Sequence, residues 1–339
     1  MTTVSVVIPC YKYGHFLEEA VSSMLDDQSG VDVRVLIIDD ASPDDSAEVA
    51  RKIAARDPRV DVIVHAANKG NIATFNEGLL EWADGDYCAL VSADDRLTPG
   101  ALRRARDLLD AHPGVGFVYG HALWVTHGES PPTARVKVRG WSVWPGTWWI
   151  DQLFRQGENP ITSPEVVMRT SVLQKVGGFD ARMPHAADME LWMRLAAVSE
   201  VGFIRGVDQA YYRLHQENMR KGFSRLRDLS ERRLVYETVL DRYGETLPDA
   251  KGLSDTMRRQ LAREALWDAG RAYGWGGAEH AHIDELTTFA VDCWPEVSRQ
   301  PLYRTLQSHK RIGPRAATFM FKHKAQWWVR RRSWKYRGV

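Results

Sequence analysis

Through the first 125 residues the hydrophobic positions switch repeatedly between two spacings. Short apolar runs, rich in β-branched residues, at 4–8, 33–38, 60–64, 87–91 and from 116 to 119 predict buried strands. Continuous apolar runs of that length suit strands covered on both faces. Between them, 16–25, 44–55, 72–83 and 98–109 show the spacing of helices. Thr98-Pro99-Gly100 is a regular helix start, with a capping hydroxyl before a proline at the first turn. Strands alternating with helices of this length predict crossover units and a mainly parallel α/β sheet flanked by helices on both faces.

Near residue 130 the alternation stops. Pro131-Pro132 and the segment 141–149, which holds four of the thirteen tryptophans, predict loop or irregular structure. Residues 166–168 predict a further strand, 171–176 a short helix ended by Gly177-Gly178, and 188–197 a strong helix. Beyond about residue 220 the pattern is helical, at 226–243, 255–273 and 283–293, with a last amphipathic stretch from 316.

At 339 residues, two domains are expected. The boundary is placed after 218: a catalytic domain at 1–218, with halves 1–125 and 126–218, then a helical C-terminal region at 219–339. A net charge of +1 argues against a nucleic-acid partner bound through bulk charge. No apolar stretch approaches the ~20 residues a spanning helix needs. Met1-Thr2-Thr3 runs straight into a strand pattern, so no secretory signal is expected. Three cysteines far apart suit neither a disulfide framework nor a zinc cluster, and a cytoplasmic location is expected.

Charge is unevenly spread. Twelve of the 45 Lys and Arg residues, and none of the 44 Asp and Glu, lie after residue 296, so the first 296 residues carry a formal charge of −11. The basic, aromatic arm has two readings: contact with an anionic membrane at its inner face, or docking on its own acidic body or on a second subunit as a homodimer.

Open parallel sheets bind ligands beyond the carboxyl ends of their strands. The turn after the first strand, Pro9-Cys10-Tyr11-Lys12-Tyr13-Gly14, holds one glycine, and no GxxxxGK[ST] occurs, so a dinucleotide-binding dehydrogenase and a P-loop NTPase are both disfavoured. Asp39-Asp40 follows the second strand and Asp94-Asp95 the fourth. A single aspartate there could simply cap the next helix. Two acidic doublets at one mouth instead suit a divalent cation, Mg²⁺ or Mn²⁺, shared with substrate phosphates.

The blocks 4–11, Ile38-Asp39-Asp40-Ala41-Ser42-Pro43-Asp44, Asn68-Lys69-Gly70 with Asn76, Val91-Ser92-Ala93-Asp94-Asp95, and Gly177-Gly178-Phe179-Asp180 followed by 187–195 resemble family 2 glycosyltransferases of the GT-A fold, in order and spacing. The resemblance covers roughly residues 3–218 and implies an inverting, metal-assisted transfer of a sugar from a nucleoside-diphosphate donor to an acceptor hydroxyl. It implies that Pro9 and Tyr11 border the nucleobase, that Asp40 bonds the base edge, and that Asn68, Gly70 and Asn76 belong to the donor site. A pyrimidine edge makes UDP or dTDP the expected carrier. Asp94 and Asp95 match the metal-binding acidic motif, although its first member, often Asp, is Ser92 here, so the metal either is held more weakly or rests mainly on Asp95 with Asp94 on the ribose or sugar of the donor. Asp188 takes the place of the general base, with Glu190 the lesser candidate. His215 could complete the metal shell or be structural. Trp141 and Trp144 are either acceptor-site wall or core. The acceptor is a glycan, a lipid-linked saccharide or a small molecule. Two rivals stay open: a sugar-nucleotidyltransferase, against which the missing glycine-rich basic loop counts, and a non-catalytic carbohydrate-binding subunit that kept the fold.

Overall fold

The computed structural model describes residues 2–215, 218, 224–274 and 280–312. These fall into two compact units, Met1–Ile150 with Asn159–Asn218, and Asp151–Glu158 with the helices beyond residue 218.

The first unit begins with the expected crossovers. β1 (Thr3–Cys10), β2 (Asp32–Asp39), β3 (Val60–Val64) and β4 (Tyr87–Leu90) pair in parallel in the order β3-β2-β1-β4. Val4, Val6, Val7 and Ile8 are all at most 1% exposed, as a strand covered on both faces requires. The connecting helices are α1 (Gly14–Leu25), α2 (Ser46–Arg56) and α3 (Asn71–Asn76). The helix expected at 72–83 does not run through as α. It passes into a π-helical turn at Glu77–Trp82, where Ala83 N–H bonds the Gly78 carbonyl at 2.9 Å. A Cβ on Gly78 would lie 2.3 Å from Val7 Cγ1, so glycine lets this turn close on β1.

The remaining elements are β5 (Arg96–Leu97), α4 (Ala101–Ala111), β6 (Val115–Thr126), β7 (Gly140–Pro145), α5 (Gly146–Gln156), β8 (Val167–Arg169), α6 (Thr170–Val176), α7 (Ala187–Val198) and β9 (Glu200–Leu214). The sheet order is β3-β2-β1-β4-β8-β6-β9-β5, with β7 also on β9. Among the described residues, β1 to β4, β6 and β9 point one way, and β5, β7 and β8 oppose them. The fold is thus a mostly parallel sheet flanked by helices, interrupted by the antiparallel β8. Because β8 is reversed, its first residue lies toward the carboxyl end of β4, opposite Val118 of β6. The chain just before β8 therefore joins the rim at that end of β4.

The tryptophan-rich segment is regular, not irregular. Trp141-Ser142-Val143-Trp144 is part of β7, and Trp149, Ile150, Leu153 and Phe154 form the buried stripe of α5. Gly146 joins the two because any Cβ there would lie 1.7 Å from the Ala196 carbonyl oxygen.

In the second unit, α8 (Arg225–Tyr243), α9 (Ala250–Gly274), α10 (His280–Cys293) and α11 (Pro301–Ile312) surround a core that includes Val235, Tyr236, Leu261, Leu266, Leu286 and Leu306. Ser224 caps α8 by accepting from Arg227 N–H. The stretch expected from residue 316 lies outside the described residues. Among the described residues no helix is long and apolar enough to cross a membrane.

Candidate active site

Three chain segments meet the rim at the carboxyl ends of the parallel strands. The first follows β4, where Ser92-Ala93-Asp94-Asp95 leaves the sheet with Asp94 6% and Asp95 2% exposed. The two aspartates point at different partners. Asp94 Oδ2 lies 2.8 Å from His215 Nε2, while Asp95 Oδ1 accepts from the backbone N–H of Arg213 at 2.9 Å. The Arg213 side chain donates to the Asp94 carbonyl at 2.8 Å and pairs with Glu19 at 2.5 Å. His215 is held edge-on to Tyr13, ring centroids 5.3 Å apart, and its backbone N–H donates to Asn218 at 2.6 Å. Burial, and then the neighbouring charge of Asp94, push the Asp95 carboxyl well above the usual range.

The second segment carries Asp188. It sits in the first turn of α7, whose N-cap is Ala186, so the carboxylate does not serve as the helix cap. Oδ2 accepts from Ser163 Oγ at 3.0 Å and from Asn159 Nδ2 at 3.1 Å, and Oδ1 from Met189 N–H at 2.7 Å. Burial raises its pKa above the ordinary aspartate value. Ser163 and Asn159 belong to the third segment, the 159–165 loop that enters β8. Ser163 has φ 98°, a conformation strained for a residue with a Cβ.

The acidic doublet after β2 is differently arranged. Asp40 is 4% exposed, and its carboxylate organises the 65–70 loop by accepting from Lys69 N–H at 2.8 Å and Gly70 N–H at 2.9 Å and contacting His65 Nδ1 at 2.7 Å. Burial acts upward on its pKa, but these three partners outweigh it and hold the carboxyl below the usual value. His65 reaches Glu77 through Nε2 at 3.0 Å, and Lys69 Nζ reaches the same oxygen at 2.7 Å. Gly70 has φ 86°, which favours glycine, and Asn68 donates to the Asp40 carbonyl at 3.0 Å. Asp39 Oδ1 is buried and has no partner among the described residues. Tyr11, 42% exposed, stands after β1 with the Lys12 ammonium 5.1 Å over its ring, and Pro9 is the penultimate residue of β1.

Other candidates turn inward. Asn76 clasps the backbone of Phe179 at both ends, accepting its N–H at 2.7 Å and donating to its carbonyl at 2.9 Å. A Cβ on Gly178 would lie 2.1 Å from the Asn76 amide oxygen, which accounts for that glycine. Glu190 is 1% exposed and closed in an ion pair with Arg194 at 2.6 Å, and Arg194 Nη1 also donates to the Val176 carbonyl at 2.6 Å. Glu190 is thus a buttress of the glycine turn rather than an acceptor-side group. Trp141 packs edge-on to His112 and against the core of the sheet, and Trp144 stacks between Trp148 and Phe203. Both belong to β7 packing.

Among the described residues no three His, Cys, Asp or Glu side chains cluster so as to hold a metal by themselves. Mg²⁺ and Mn²⁺ need no such cage when a substrate supplies phosphate oxygens. The Asp94–His215 pair suits that shared arrangement, whereas Asp95 is committed to Arg213.

Sequence patterning missed Glu165. It lies two residues before β8, is 3% exposed, and leaves Oε2 without a partner among the described residues while Oε1 accepts from Thr162 N–H at 2.7 Å. Burial pushes its carboxyl up to about 7, and the charge of Asp188 adds to that rise. A carboxylate between Pro164 and an apolar strand reads as a turn residue, and only the reversal of β8 brings it to the rim.

A mostly parallel sheet with acidic loops on its carboxyl rim defines the GT-A class of nucleotide-sugar enzymes. Residues 5–161, a little under half of the chain, match the model described as glycosyl transferase family 2. The chain is 36% identical over 118 residues to the uncharacterized glycosyltransferase EpsJ of Bacillus subtilis, covering 34% of this chain and 33% of EpsJ. It is 25% identical over 224 residues to the chondroitin synthase of Pasteurella multocida, covering 63% of this chain and 21% of the synthase. The chain thus spans a third or less of either relative. Among solved structures it resembles residues 1–349 of Staphylococcus aureus TarS in complex with UDP-GlcNAc, at TM-score 0.65 and 17% identity, covering 91% of this chain and 92% of that one. A mannosyltransferase of Pyrobaculum calidifontis with GDP-Man and Mn²⁺ follows at TM-score 0.51 and 17% identity, over 94% and 87% of the two chains.

Proposed function

We propose that the protein is an inverting glycosyltransferase that moves a sugar from a nucleoside-diphosphate carrier to an acceptor hydroxyl, with Asp188 as general base. The observation that carries this reading is the pairing of Asp94 with His215 on the same rim as a buried, elevated carboxyl at Asp188. An acceptor hydroxyl is a weak nucleophile, and a positioned carboxylate takes its proton as the new bond forms. Direct displacement needs one such group, because no covalent sugar–enzyme intermediate is made. Ser163 and Asn159 hold Asp188 in one orientation, and its raised pKa suits a base that works near neutrality.

On the donor side, Tyr11 offers an exposed ring face for the nucleobase. Asp40 shapes the neighbouring loop, which leaves the unpartnered Asp39 Oδ1 as the oxygen for a pyrimidine imide N–H. The UDP-GlcNAc complex of TarS supports a uridine carrier as the first donor to try. Asp94 and His215 would hold a divalent cation, which when bound would supply positive charge against the leaving phosphate. The acceptor is proposed to be a growing glycan or a lipid-linked saccharide.

The test is incubation with UDP-, dTDP- and GDP-sugars and Mn²⁺, with products identified by mass. Free nucleoside diphosphate is expected from at least one donor. Pyrophosphate release, or no nucleotide binding by calorimetry, would overturn the reading.

A further inference from the structure

Glu165 is an anomaly that packing does not explain. A buried carboxyl oxygen with no hydrogen bond costs free energy whether or not it is ionised, and native structures rarely leave one so without a reason. Closing the 162–165 turn uses only Oε1. An uncharged amide would serve that turn as well, so the second oxygen is unaccounted for. No ion pair reaches it among the described residues.

Its position narrows what it could meet. The charge of Asp188 acts on Glu165, and the charge of Glu165 acts in turn on Asp95. Glu165 thus stands within electrostatic reach of both the base and the acidic doublet. Its loop is also the one that orients Asp188, through Asn159 and Ser163. In an in-line displacement, the atoms between the base and the diphosphate are those of the sugar in transit. The attacking oxygen approaches from one side of the anomeric carbon and the phosphate leaves from the other. A group within reach of both poles therefore lies nearer the transferred sugar than the nucleobase or the distant parts of the acceptor. The acidic motif after β4 begins with Ser92, and the loop before β8 supplies a further carboxylate, Glu165.

We propose that Glu165 is a contact residue for the transferred sugar, its Oε2 accepting a hydrogen bond from a ring hydroxyl of the hexose held between Asp188 and the Asp94-Asp95 doublet. This rests on the glycosyl-transfer reading above. Glu165 selects among donors by the placement of that hydroxyl, and it does so at the expense of stability in the empty protein. A sugar lacking the hydroxyl leaves the buried oxygen orphaned, which is the strongest form of discrimination a polar site can exert. The upward displacement of its carboxyl agrees with an acid held in a site that offers it no cation.

The experiment is calorimetry of the full chain with Mn²⁺, comparing UDP with UDP-GlcNAc, UDP-Glc and UDP-Gal, for the wild type, Glu165→Gln and Glu165→Ala. UDP affinity is expected to stay within about twofold in all three proteins. The gain in affinity from the preferred sugar should fall about tenfold or more in Glu165→Ala, the scale of one hydrogen bond to a charged group. Apo Glu165→Gln should melt at a higher temperature than the wild type, a readout that a structural prop would move the other way. A sugar increment unchanged in both variants while UDP still binds would overturn the role of Glu165 and leave the transfer reading intact. A fall in Tm for Glu165→Gln would also overturn it. Failure of the wild type to bind UDP or any of these sugars would count against both.

Discussion

In the helical unit, Glu264 meets Arg232 at 2.8 Å and Arg225 as well, and Arg225 also reaches Asp268 at 2.5 Å and pairs with Asp228. At the rim of the sheet, Glu165 meets one backbone N–H and no cation. The consequences for the carboxyls are opposite. Burial acts upward on Glu264, but Arg232 outweighs it and holds the group below its usual value; burial carries Glu165 up to about 7. Glu264 is neutralised by arginines within its own unit, whereas Glu165 is left short of partners among the described residues. A region that must accept a polyhydroxylated, anionic substrate gains from unmet hydrogen-bonding capacity, whereas a region that only has to stay folded does not.

Breaking the paired side should have the largest effect. Arg232→Met takes from the partly buried Glu264 one of its two arginine partners and is expected to cost about 3 kcal/mol, measured by urea denaturation. A loss under 1 kcal/mol would mean that the network is hydrated and weak. On the other side, Asp188→Asn should cut turnover about a hundredfold or more while the affinity for nucleotide sugar stays near wild type. A parallel loss of affinity would make Asp188 a donor-site residue instead.

Glu165→Gln sharpens the contrast through pH. The folded carboxyl has a raised pKa, so the folded state holds the proton in the window from the ordinary glutamate value of about 4.5 up to about 7. Its contribution is therefore greatest below that window and is lost as pH rises through it. The Gln variant should accordingly be more stable than wild type by on the order of 2 kcal/mol at pH 8, with little gain at pH 4, by chemical denaturation across pH. A gain independent of pH would contradict the assignment. Smallest is Asn76→Ala, which removes both bonds to Phe179 and should cost about 1–2 kcal/mol, with faster amide exchange through residues 177–180.

How far the sequence disclosed this contrast depends on the distance over which each feature is encoded. The alternation through residue 125 is local, and β1 to β4 with α1, α2 and α4 follow the expected runs. Asp94 and Asp188 stand out in the sequence because each lies inside a short motif that resembles the family's, and the structure places both side chains in buried, hydrogen-bonded positions. The antiparallel insertion of β8 was not legible, because a three-residue strand leaves almost no periodic signal and its paired residues in β4 and β6 are 49 or more positions away along the chain. Glu165 was hidden for the same reason. Trp141 and Trp144 drew attention by their chemistry, yet both are packing residues of β7, Trp141 sharing the core face with Val143 and Trp144 stacking with Trp148 and Phe203. Glu190 carried the right side chain for a base, but its partner Arg194 sits one turn along the same face of α7.

The most direct test of the account is the rate at which the protein releases UDP from a bound UDP-sugar in the presence of Mn²⁺ and a saccharide acceptor, wild type against Asp188→Asn. The account predicts measurable release by the wild type and a loss of about two orders of magnitude in the variant, with UDP-sugar binding unchanged. Equal rates in the two proteins would contradict it.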